Sequence, residues 1–212
     1  VARALQPQIF LGTLSSDETL RDWLVYAGAS SVTITEQLIA DTIIGRFYHT
    51  LGSQTRKDAS TASEGVDTLQ EHVIIVGFDV LGNRVAQTLQ NDGHELVVID
   101  ADAAAMQRAS QAGYRVVAGQ ADRAQTLQEA HLAQAKAVLI AIRSGEKMGS
   151  KLSIALMARA LNPNGYISAL SHSAAGRNWL SHAGASEVIL IDQLVAETSV
   201  QDYLRYREPK QS

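Results

Sequence analysis

The sequence predicts an α/β protein with a Rossmann-like, doubly wound parallel sheet, preceded by the carboxyl-terminal half of a related domain. Three observations predict it. His72 opens an apolar run, Val73-Ile74-Ile75-Val76, that turns at Gly77 and resumes from Val80 with helical spacing, as the first strand, tight turn and helix of a dinucleotide-binding unit do. Short apolar runs then alternate with amphipathic stretches as far as Tyr206, the pattern of a parallel sheet covered on both faces. Blocks of residues 1–42 also return 156 positions later without insertion.

The chain's 212 residues, 46% of them apolar, suffice for one full α/β core and something extra. No apolar run approaches the roughly 20 residues of a membrane span. Absence of cysteine excludes disulfides, thiolate catalysis and cysteine-ligated metal. A net charge of −4, with neither a basic arm nor an aromatic stacking series, argues against a nucleic-acid partner. Val1-Ala2-Arg3-Ala4-Leu5-Gln6-Pro7 lacks the regions of a signal peptide. It reads as the end of a helix, as expected of an excised or processed segment.

The elements are expected in this order. Residues 1–50 form a partial upstream half-domain, with a strand over Ile9 to Leu14, a helix over Asp17 to Tyr26, a strand over Ser31 to Ile34 and a helix over Glu36 to Tyr48. On that last helix Leu38, Ile39, Ile43, Ile44 and Phe47 form a stripe suited to an oligomer contact or to burial in the absent upstream domain. Residues 51–70 are too polar for a core and form a connector. Residues 71–206 carry strands near Val73 to Gly77, Leu96 to Asp100, Arg115 to Ala118, Ala137 to Ile142, Tyr166 to Leu170 and Glu187 to Ile191. Helices intervene near Leu81 to Gln90, Ala103 to Ala112, Ala124 to Ala130, Gly149 to Ala160 and Ala174 to His182. A last helix over Gln193 to Tyr206 is suited to cross onto another lobe or subunit, and residues 207–212 are a tail.

The repeat justifies the upstream half-domain. Arg21-Asp22-Trp23-Leu24 returns as Arg177-Asn178-Trp179-Leu180, Ala27-Gly28-Ala29-Ser30 as Ala183-Gly184-Ala185-Ser186, and Gln37-Leu38-Ile39-Ala40 as Gln193-Leu194-Val195-Ala196. The matched tryptophans are expected to pack, including burial against the sheet, rather than to stack on a ligand.

The candidate binding residues lie at the ends of the predicted strands. Gly77 permits a turn beside a phosphate and Gly82 permits close helix–strand packing, with Phe78, Asp79 and Val80 between them. Asp79 stands where the fingerprint has its middle glycine, and its carboxylate both takes up space and repels a pyrophosphate. Asp100, followed by Ala101, can accept hydrogen bonds from an unphosphorylated ribose, or cap the next helix. Gly119, Gln120 and Ala121 follow the third strand, where Gln120 can meet a base and Asp122 can cap a helix. Arg143-Ser144-Gly145-Glu146-Lys147 follows the fourth strand and supplies donors and flexibility, with Arg143 able to offset a ligand phosphate and Asp79, or is a solvated loop. His49, His72, His94, His131, His172 and His182 are too scattered for a metal site; His182 reads as helix-end stabilisation, and His172 as a surface residue or one facing the crevice.

The blocks Ile74-Ile75-Val76-Gly77, Val98-Ile99-Asp100, Gly119-Gln120-Ala121-Asp122 and Ala183-Gly184-Ala185-Ser186 resemble the RCK, or TrkA-N, regulatory domain of potassium channels and potassium transport systems. The resemblance covers about Glu71 to Tyr206, and the repeat extends it into residues 1–48. It implies a Rossmann-like lobe that binds NAD or NADH, or ATP, ADP or AMP. It also implies a homo-oligomer on the cytoplasmic side of a membrane-embedded pore, and no enzymatic activity. It places Gly77 and Gly82 at the phosphate, Asp100 at the ribose and Gln120 near the adenosine end. The chain departs from the family at Asp79 and at Gln120, where an acidic residue is frequent, and no complete carboxyl-terminal lobe follows Tyr206. Because Asp79 disrupts the glycine fingerprint, a non-binding scaffold is the alternative expectation, followed by an NAD-dependent oxidoreductase, for which no catalytic His, Lys or Tyr set is evident. A crevice filled by side chains, with Asp79 in the phosphate space, would leave only an assembly role.

Overall fold

The computed structural model describes residues 9–52, 69–144 and 147–207. Residues 1–8, most of the expected connector and most of the expected tail lie outside them. The described chain divides into two compact units, one of residues 9–39 with 191–207, the other Ala40–Leu190.

The first unit holds two parallel strands, β1 (Gly12–Ser15) and β2 (Ser31–Ile34), in the register Gly12 with Ser31. Between them Asp17, its backbone extended, accepts a bond from the Thr19 amide and starts a short 3-10 turn that leads into α1 (Arg21–Tyr26). The first turn of α2 (Thr35–Leu51) follows β2 directly. The unit is closed by the last helix, Ile191–Arg207, whose Tyr203 packs edge-on and Tyr206 at a tilt against Phe10, at 5.5 and 5.2 Å. Asp202 of that helix accepts from the Ser31 and Thr33 hydroxyls.

The second unit is a six-stranded, wholly parallel sheet. Its strands are β3 (Val73–Val76), β4 (Leu96–Asp100), β5 (Arg115–Ala118), β6 (Ala137–Ile140), β7 (Tyr166–Ser171) and β8 (Glu187–Leu190), in the order β5-β4-β3-β6-β7-β8. The crossover helices are α3 (Val80–Asn91), α4 (Ala103–Gln111), α5 (Ala124–Glu129), α6 (Met148–Leu161) and α7 (Ala174–His182), and the closing helix of the first unit is α8. Both faces of the central strands are buried, so β3 and β6 read as continuous apolar runs rather than alternating ones. Ile74, Val76, Val97 and Ile99 pack with Leu127, Ile154 and Leu180. On the opposite face α3 lies so close to β3 that a Cβ on Gly82 would drive into the Gly77 carbonyl oxygen.

The repeat survives in three dimensions. Adding 156 to β2 and α2 gives the bounds of β8 and α8, and adding it to the β1–β2 register gives that of β7 with β8. Polar details recur as well. Ser15 Oγ donates to the Asp17 carbonyl as Ser171 Oγ does to Ser173, and Ser30 Oγ accepts from the Leu11 amide as Ser186 Oγ does from Ile167. Gly28 and Gly184 share a left-handed φ of 103° and 102°.

Two expectations are corrected here. Trp23 and Trp179 are not buried against a sheet but 70% and 58% exposed. Neighbouring helix positions point about 100° apart, and in α7 Leu180 takes the inward direction with no exposure at all. The α2 stripe, in turn, does not wait for an absent upstream domain at its carboxyl-terminal end. Phe47, 1% exposed, packs edge-on against Tyr166 and His94 of the parallel-sheet unit at 6.2 and 5.4 Å, while the Tyr48 hydroxyl donates to the Asp92 carboxylate.

Candidate functional site

The strand order reverses its direction of growth between β3 and β6, and in open α/β sheets ligands settle outside the strand ends at that switch point. A cavity of about 190 Å³ lies there. Its floor is Val76 and Gly77 after β3 and Ile99, Asp100 and Ala101 after β4. One wall is the stretch Gly119 to Asp122 after β5, and the other is Ile142 after β6 with Lys147, Ser150 and Ile154 at the start of α6. The crevice is therefore open rather than filled.

The glycines explain the cavity's shape. Gly77 turns with φ +95° and Gly119 with φ +151°, and a side chain at Gly119 would crowd Thr126. Asp100 projects from the end of β4 and already holds two backbone amides, Phe78 N–H at 2.7 Å and Asp102 N–H at 2.9 Å. A carboxylate offers about four acceptor positions, so two remain for a ligand. The alternative reading of Asp100 as a helix cap is corrected: Asp102 caps α4, accepting from the Ala105 amide at 2.7 Å. Asp122 does not cap α5 either. The cap position is Arg123, without a side-chain bond, and Asp122 accepts from the Ser150 hydroxyl at 2.8 Å, joining the two walls.

Asp79 occupies the cap position of α3, where its Oδ1 accepts from the Leu81 and Gly82 amides at 2.9 and 3.1 Å. These are the donors a helix amino terminus offers to a phosphate. Its Oδ2 pairs with Arg143 at 3.0 Å, so the offset expected of Arg143 toward Asp79 is present. The backbone after β6 is braced in turn by His172, whose Nε2 lies 3.1 Å from the Arg143 carbonyl oxygen. His182 donates to Asn178 within α7, at the helix end.

Of the residues singled out from the sequence, Gly77, Asp100, Ala101, Gly119, Gln120 and Ala121 line the cavity together. Phe78, Asp79, Val80, Gly82 and Arg143 do not line it. Phe78 is buried and edge-on to Tyr114 at 5.6 Å, Val80 is 61% exposed on α3, and Gly82 serves packing. Lys147, from the loop expected to supply donors, belongs to the wall, and so do Ser150 and Ile154, which were not foreseen. Their signal is positional, since they open the helix after β6, the strand that pairs with β3. Among the described residues no group of three or more His, Asp or Glu side chains is placed to hold a metal ion.

The TrkA-N domain model matches residues 73–191. The chain belongs to the TrkA-N family. This TrkA-N chain is 27% identical over 186 residues to potassium channel protein 1 of Methanocaldococcus jannaschii, covering 86% of this chain and 52% of that protein. It is 28% identical over 153 residues to YbaL of Escherichia coli, covering 72% and 27%. It thus spans about half of the first relative and about a quarter of the second. The solved TrkA-N domain of the Escherichia coli inner membrane protein YbaL superposes with a TM-score of 0.59 at 29% identity, over 64% of this chain and 98% of that one. GsuK bound to ADP shares the fold with a TM-score of 0.66 at 20% identity, over 95% and 46%. Among the described residues no helix is long and apolar enough to cross a membrane.

Proposed function

We propose that this TrkA-N domain is the cytoplasmic regulatory part of a potassium channel or transporter, sensing an adenine-containing ligand and converting its binding into a rearrangement of a homo-oligomer. The observation that carries this reading is Asp100: a carboxylate with unused acceptor positions, at the strand ends of an open cavity at the sheet's switch point. Asp100 would take the ribose hydroxyls, with Gly77, Ala101, Gly119, Gln120 and Ala121 around the nucleoside. Residues 1–50 are the second half of an upstream copy of residues 71–206, a reading supported by the shared register of β1–β2 and β7–β8. Ligand binding would act by favouring one arrangement of paired lobes over another.

The test is equilibrium binding of NAD, NADH, ATP, ADP and AMP to the purified chain, with its sedimentation followed in parallel. GsuK, of the same fold, has been solved bound to NAD and to ADP, which guides the choice of probes. Asp100→Ala is expected to weaken binding at least tenfold, the loss of about 1.4 kcal/mol. Asp100→Asn, which keeps an acceptor for the Phe78 amide, guards against mere loss of the turn. A scaffold without a ligand is the second reading, favoured by the Asp79 carboxylate on the α3 amides; binding of none of the five compounds would establish it over the first.

A further inference from the structure

We infer that the site reads the nucleoside and not the phosphate chain, because Asp79 stands in for a phosphate at the amino terminus of α3. This rests on the adenine-ligand reading above and narrows it. Two independent observations carry it.

The first is the state of the donors. Leu81 and Gly82 N–H, which would face the phosphates in a glycine-rich turn, already donate to Asp79 Oδ1. The Phe78 N–H between strand and helix already donates to Asp100. Arg143 contacts Asp79 Oδ2 through both Nε and a terminal nitrogen, at 3.2 and 3.0 Å. A phosphate arriving here would have to displace a carboxylate held by four hydrogen bonds. Its own charge-assisted bonds would replace bonds of the same kind, so the exchange has no net gain.

The second is the space. The open cavity runs from Gly77 across Asp100 to Gly119 and the first turn of α6, and neither Asp79 nor Arg143 lines it. At about 190 Å³ it is smaller than the roughly 300–1,000 Å³ of pockets that enclose whole small-molecule ligands. It matches one part of a dinucleotide, and its open part is bordered by the ribose acceptor and by Lys147 and Ser150 at the start of α6 rather than by the amino terminus of α3. Asp79 is thus a specificity-determining residue: it sets which portion of an adenine compound contributes affinity.

The experiment is calorimetric titration of the full chain with adenosine, AMP, ADP and NAD, repeated for Asp79→Gly and Asp79→Asn. Glycine is tolerated at a helix cap and restores the free amides; asparagine keeps the cap but removes the charge. The parent chain is expected to bind all four within about threefold, since phosphates add nothing. Asp79→Gly is expected to raise the affinity for AMP, ADP and NAD about tenfold or more while leaving adenosine unchanged, the scale of one or two charge-assisted bonds. Asp79→Asn is expected to stay flat, because its side-chain oxygen still occupies the amides. A parent affinity that climbs from adenosine to ADP or NAD, or a glycine variant as flat as the parent, overturns this inference while leaving the adenine-ligand reading in place. Failure of all four compounds to bind any of the three proteins overturns both.

Discussion

At the scale of single residues, the fold contains charges and polar rings at positions where an apolar side chain would be expected. Lys151 on α6 has no exposed surface, and its ammonium donates to the Leu170 carbonyl at 2.9 Å. Burial pushes its pKa below the ordinary lysine value of 10.5. The sign follows: between the lowered folded value and the ordinary one, the unfolded chain holds the proton more firmly, so stability rises as pH climbs toward 10.5. A hydrogen bond returns about 1 kcal/mol, less than the desolvation of an ammonium costs. Lys151→Met is therefore expected to stabilise the protein at pH 7 by about 1 kcal/mol or more, with the gain shrinking by pH 10. Urea unfolding midpoints at the two pH values check both the sign and the trend.

At the level of elements, α2 is held at its end to the parallel sheet. Its first turn follows β2, and its last turns are anchored to the parallel sheet by Phe47 and by the Tyr48–Asp92 hydrogen bond. Around Phe47 stand Tyr166, His94 and Lys136, the lysine nitrogen 5.8 Å from the ring centre. Truncating a buried phenylalanine typically costs about 3–5 kcal/mol, from lost transfer energy and the cavity left behind. Phe47→Ala is expected to fall in that range in denaturant unfolding. A cost below about 1 kcal/mol would mean that the end of α2 is not held to the sheet. Helices α3, α4 and α7 need no such distant anchor at their starts, because Asp79, Asp102 and Ser173 accept bonds from their own first-turn amides.

At the scale of the whole molecule, stability should fall on mild acidification. His72 is buried, with Nε2 2.9 Å from the Ala130 carbonyl oxygen, and burial lowers its pKa. His94 is lowered by burial and then by Lys136, whose nitrogen lies 2.8 Å from its Nδ1. Both rings resist protonation in the folded chain more than in the unfolded one, so stability present above about pH 6.5 is lost as pH falls below it. Each contributes at most about 1.4 kcal/mol per pH unit. The thermal midpoint is expected to drop between pH 7 and pH 5, and His94→Gln is expected to flatten that slope.

The central strands of the parallel sheet were readable because burial on both faces makes each a short apolar run, and the more exposed edge strands β5 and β8 by their paired Val116-Val117 and Val188-Ile189 between glycines and polar residues. The cavity floor and one wall were readable because Gly77, Asp100 and Gly119 each end such a run. The α6 wall was not. Ser150 meets Asp122 only because β6 pairs with β3, a neighbour more than sixty positions away in the chain. The direction of Trp23 and Trp179 was equally hidden, since a tryptophan beside a leucine on a short helix does not announce which of the two turns inward. The fate of the Asp79 carboxylate was half legible: its charge argued against phosphate, while its role as a satisfied helix cap needed the backbone.

The matched halves give this chain an internal control. Ser30 and Ser186 each accept from a backbone amide, the first just before the second strand of a two-stranded ribbon and the second just before the edge strand β8 of a six-stranded sheet. Both hydroxyls hold a backbone amide, and Ser186 Oγ accepts in addition from the Arg159 guanidinium at 2.9 Å, so the two deletions compare this shared contact in two different settings. The repeat thus places one amide–hydroxyl contact in two neighbourhoods of a single polypeptide.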